Sequence, residues 1–176
     1  MENILSSLIV AIITSLLSII GTMCVQKRKN ENTIKKNAFY LYLNLKQTKS
    51  DIDREKKIID GTSWDEIFPM AYFTTFDYIG VLSELKDKLS EEEIRNINSF
   101  YESVKKIDKK KLNYVDLYNS YNNFLKVNPT QMFNPYYQQY LEGQNAFQYA
   151  LNVFVNSEEY KENIVRIISK LERIKG

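Results

Sequence analysis

Residues 4–25 run for 22 positions without a charged side chain, and Ile, Leu, Val, Ala, Met and Cys dominate the stretch. No other segment restricts the possible structures as much. As a helix rising about 1.5 Å per residue it is about 33 Å long, enough to cross a hydrocarbon layer of about 30 Å. Met1-Glu2-Asn3 offers no basic region ahead of it, no A-x-A-like exit follows it, and Met23 precedes Cys24 where a lipoprotein needs a small residue. The expectation is a retained transmembrane helix over 1–26 rather than a cleaved leader. Lys27, Arg28 and Lys29, then Lys35 and Lys36, follow it, whereas no Lys or Arg precedes it. Under the positive-inside rule the N-terminus then lies outside and the rest of the chain in the cytoplasm, with 27–36 as a basic juxtamembrane linker. The same cations can meet anionic lipid headgroups.

Within this segment Ser7, Ala11, Thr14, Ser18, Gly21 and Val25 recur at spacings of four and three, and Ser15 and Thr22 widen the stripe. Small residues let helix backbones approach, so the stripe predicts association with another copy or another protein. In a ring of copies it could instead face a water-filled lumen, with Lys27, Arg28 and Lys29 at the cytoplasmic mouth. The plain alternative is that the hydroxyls bond back to carbonyls of their own helix.

Beyond residue 30 the pattern is helical throughout. Ile34, Ala38, Leu41, Leu45, Thr48, Ile52 and Ile59 mark an amphipathic helix over 31–60, interrupted only by Glu55 and stopped by Gly61. Ser63-Trp64-Asp65-Glu66 reads as a capping box, Pro69 as a kink, and an apolar run through Tyr72 and Phe73 reaches Leu89. Ser90-Glu91-Glu92-Glu93 is a second capping box, opening a helix that buries Ile97, Tyr101, Val104 and Ile107. Lys109-Lys110-Lys111 separates it from a further stripe of Tyr114, Leu117, Tyr118, Tyr121 and Leu125; Asn134-Pro135 restarts the chain, and Ser157 caps the last helix. With 5 Gly and 3 Pro in 176 residues and 44% hydrophobic residues, neither an all-β fold nor disorder is expected. The predicted architecture is all-α: one N-terminal transmembrane helix followed by a cytoplasmic helical bundle of about five helices over 37–176.

The chemistry available is narrow. There is no His, and Cys24 is the single cysteine, which excludes imidazole and Cys-cluster metal sites, a Ser-His-Asp triad and an internal disulfide. No phosphate-binding glycine loop is present, so no cofactor or metal is expected. The charge balance, 24 basic against 22 acidic residues, gives no global attraction to nucleic acid or membrane. Asp77, between Phe76 and Tyr78, is expected to bond a tyrosine hydroxyl or a lysine, and the 13 tyrosines to serve the core.

One string carries a possible function. Arg95-Asn96-Ile97-Asn98-Ser99-Phe100 resembles the R-N-x-x-x-H signature of HEPN-type helical ribonucleases, with Phe100 in place of the histidine. A phenyl ring moves no proton, and Tyr101, with an ordinary pKa of about 10, is a poor replacement. Together with the single N-terminal apolar helix, the small helical domain and the chain length, Arg95 and Asn96 make the sequence resemble the membrane accessory proteins of type VI-B, RNA-targeting CRISPR systems. That resemblance implies a non-enzymatic, homo-oligomeric, pore-like protein of the bacterial inner membrane that makes the membrane leaky and enhances an RNA-guided ribonuclease in antiviral defence. Two alternatives stand beside it. One is a single-pass scaffold without a pore, whose bundle recruits a partner; the other is an HEPN-related RNase acting through Arg95. Direct RNA binding is left open.

Overall fold

The computed structural model describes residues 2–61, 64, 67, 76–129 and 134–176, and side chains from residue 13 onward. The expected kink at Pro69, the capping residues Ser63 and Glu66, and the side chains of Ser7 and Ala11 lie outside that description. The chain is all-α, with no strand among the described residues.

Helix α1, Glu2–Asp60, is a single rod of 59 residues, about 89 Å long at 1.5 Å per residue. It continues without a break through the basic positions 27–36. It is followed by α2 (Tyr78–Leu85), α3 (Glu91–Val127), α4 (Tyr137–Val155), a π-helical turn at Glu159–Asn163, and α5 (Ile164–Lys175). Ends form where the side chains dictate. The capping box at Ser90 is present in both directions, Glu93 N–H donating to Ser90 Oγ and Ser90 N–H to Glu93 Oε2. Asp77 is the exposed N-cap of α2 and accepts from Gly80 N–H at 3.0 Å, so the expected tyrosine or lysine partner is replaced by a helix end.

The C-terminal half of α1 is one wall of the core. Leu41, Leu45, Ile52 and Ile59 are buried, as are Ile164, Ile167 and Leu171 of α5, which packs along α1. α3 and α4 pair on the other side, where Gly143 permits close approach: a Cβ there would lie 2.7 Å from Leu117 Cδ1. Phe100, Phe154 and Tyr160 join the two pairs, Phe100 lying 5.6 Å from Phe154 between ring centres.

The two stripes separated by Lys109-Lys110-Lys111 turn out to be one helix. Lys111 is fully buried in α3 and ion-pairs with Glu55, the residue that interrupts the apolar stripe of α1. Each irregularity of the sequence pattern explains the other, because neither charge could be buried alone.

The membrane expectation is corrected. Among the described residues no helix is long and apolar enough to cross a membrane. The single-pass anchor, the inner-membrane location with an outside N-terminus, and the pore built on them are set aside.

Candidate functional site

The part of α1 that leaves the bundle is unlike any other surface of the molecule. Ile13, Leu16, Leu17, Ile19, Ile20, Met23 and Val25 are each at least half exposed. Contiguous apolar exposure of this extent marks an interaction site in a folded protein. Counting in sevens along α1 joins Ile13 and Ile20, through Lys27, to Ile34 and Leu41, so the exposed stripe continues the face that α5 covers lower down. At the start of the packed region the carbonyl of Gly176, after α5, accepts from Lys35 Nζ at 3.0 Å. Leu16 and Met23 each follow one of the isoleucines by three residues, and Leu16 precedes Ile20 by four, which is the a/d pattern of a coiled-coil seam with β-branched residues at a.

Of the small-residue stripe, Thr14, Ser18, Gly21 and Thr22 lie on this exposed rod. Thr22 Oγ1 donates to its own helix at Ser18 O, 2.9 Å, as the plain alternative has it. Lys27, Arg28 and Lys29 are exposed just below, on the same continuous helix.

The structure separates the residues of the degenerate HEPN-like string. Arg95 is exposed; Asn96 is half-buried, its Nδ2 enclosed without a hydrogen-bond partner among the described residues; Phe100 is buried at the centre of the aromatic cluster. Five residues on a helix are about 140° out of phase, so Arg95 and the side chain at 100 face different ways. Position 100 supplies core packing, and no surface near Arg95 gains an acid or base from it.

Polar groups inside the bundle are mostly engaged in holding helices together. Tyr101 donates to Asn44 Oδ1 at 2.7 Å, and Tyr160 to Asp53 Oδ1 at 2.7 Å. Burial pushes both phenols far above the ordinary tyrosine value, and for Tyr160 the neighbouring Asp53 adds to it. Glu93 is held below its ordinary 4.5: burial alone would raise it, but hydrogen bonds from Lys170 and Ser90 outweigh that. No group of three or more acidic or Cys side chains suited to a metal occurs among the described residues.

The sequence pattern marks the small residues of the rod as an interface; the seven-residue count from Leu41 through Ile34 to Ile20 and Ile13 marks a second line of large residues on the same rod. Comparison with family models, with curated proteins and with solved structures returns no match at any of the three levels.

Proposed function

We propose that this protein is a self-assembling helical scaffold, in which copies associate side by side through the protruding part of α1 and present their bundles to a partner. The observation that carries the reading is the uncovered stripe of Ile13, Leu16, Ile20 and Met23, of which Ile13 and Ile20 fall in sevens with Ile34 and Leu41 of the packed face. Fully burying one such side chain is worth about 1.5–3 kcal/mol, so four from each copy supply a drive that a lone rod in water forgoes. Ile at a with Leu or Met at d favours two parallel strands. Phe39, Tyr40 and Leu43, exposed on the outer face of α1 nearer the bundle, offer a second contact between copies once the rods are paired.

Catalysis has no part in this reading, since the one motif that pointed to it is divided between surface and core. The layout half of the likeness to type VI-B accessory proteins falls with the membrane span, and Arg95-Asn96 remains. The RNA-guided ribonuclease of such systems is therefore the first partner to try against the assembled form.

Cys24, exposed on the rod beside Met23, is a built-in reporter. Treating the full chain in dilute solution with a short bismaleimide should give a covalent dimer, and Cys24→Ser should abolish it. Absence of dimer at concentrations well above micromolar would refute paired rods.

A further inference from the structure

Away from α1, a groove of about 530 Å³ lies between α3 and α4 and ends at the π-helical turn. Its floor is Ile107, Ala150 and Phe154; Tyr149 and Val153 stand exposed along the α4 rim, and Lys106 and Lys110 along the α3 rim. Neither lysine has an ion pair among the described residues, and the nearby Glu102 pairs with Lys105. Lys106 and Lys110 are four residues apart, so both ammonium groups serve one side of the groove. The far end is of opposite character. Glu159 closes it, with Oε1 enclosed and without a hydrogen-bond partner among the described residues.

The geometry points to a binding site for a small amphiphilic monoanion, an aliphatic chain carrying one carboxylate. The chain lies on Ile107, Ala150 and Phe154 beneath Tyr149 and Val153, and the carboxylate meets Lys106 and Lys110. The volume is that of a small-molecule site, and the combination of an apolar floor with a few convergent polar groups is the usual build of one. From Ser103 to Lys110 the α3 wall is about 10 Å long, which suits a medium-length chain. The carboxylate of Glu159 fixes the polarity: it repels a second negative charge at the far end, so dicarboxylates are discriminated against.

Titration calorimetry of the full chain with decanoate, below its micelle concentration, tests this. One decanoate per chain is expected, with decyltrimethylammonium and decanedioate each binding more weakly. Replacing both lysines, Lys106→Gln with Lys110→Gln, should weaken decanoate about fivefold and leave decan-1-ol unchanged. Ala150→Trp should block both ligands, with far-UV circular dichroism confirming the fold. Equal binding of anionic and cationic head groups overturns the proposal, and so does decanoate binding that survives both sets of substitutions, which would place the ligand on the exposed rod. Binding of an acidic amphipathic peptide but not decanoate would overturn it in favour of a protein partner.

Discussion

One seven-residue line, through Ile13, Ile20, Ile34 and Leu41, runs along both halves of α1 and meets opposite fates. Below Ile34 its apolar face is sealed by α5 and α2; above it, from Ile13 to Val25, the same face stands in solvent. The helix itself does not change at the boundary. What changes is its neighbour: α5 packs along the lower part, with the Gly176 carbonyl meeting Lys35. The lower half is packed within the described fold, and the upper half exposes apolar surface of the kind that marks an interaction site.

The sharpest break of this contrast is at the buried pair in the lower half. Lys111→Met removes the cation of the buried pair with Glu55, and urea unfolding should show a loss of about 3–5 kcal/mol. The double variant Glu55→Leu with Lys111→Met should recover most or all of it. Next comes a matched pair of truncations on the two halves. Leu45→Ala, in the core, should cost about 2–5 kcal/mol. Ile20→Ala, on the rod, should change the stability of the dilute chain by no more than about 0.5 kcal/mol and act on association instead.

Where the sequence was legible and where it was not follows the same division. The lower half could be read directly, since Ile34, Leu41, Leu45 and Ile52 fall at helical spacing and one α5 stripe suffices to cover them. The capping box at Ser90 was equally plain, because its two hydrogen bonds are local. Lys111 was not legible as a core residue. A triple-lysine run looks like a solvated break, and only the distant Glu55, 56 positions away, makes its burial tolerable. Asp77 was misjudged for the opposite reason: its partner, Gly80 N–H, is three residues away, and the aromatic neighbours drew attention from that local bond. The rod was misread through its charge-free length. Composition described a segment fit for lipid, whereas register with Leu41 describes a face fit for another helix. At Arg95 the linear string does not specify which helix face each member occupies, and the structure puts Arg95 on the surface and Phe100 in the core.

A smaller effect separates the halves by pH. Glu93 binds Ser90 and Lys170 at the α3–α5 contact and has a folded pKa below 4.5. Its stabilisation is fully present above about pH 4.5 and is lost as pH falls through the lowered folded value. Melting temperature should therefore decline across that acidic window, and Glu93→Gln should remove part of the dependence. The apolar seam has no titrating group between Ile13 and Val25 other than the Cys24 thiol, so association should hold steady over the same range.

The central claim is settled most directly by sedimentation equilibrium of the full chain over a range of concentrations. The account predicts a mass that is a multiple of 20.8 kDa for the native sequence. For Ile13→Asn with Ile20→Asn it predicts a return to 20.8 kDa with unchanged helical circular dichroism. A native chain that sediments as a monomer at every concentration, or an Asn variant that assembles as well as the native one, would contradict it.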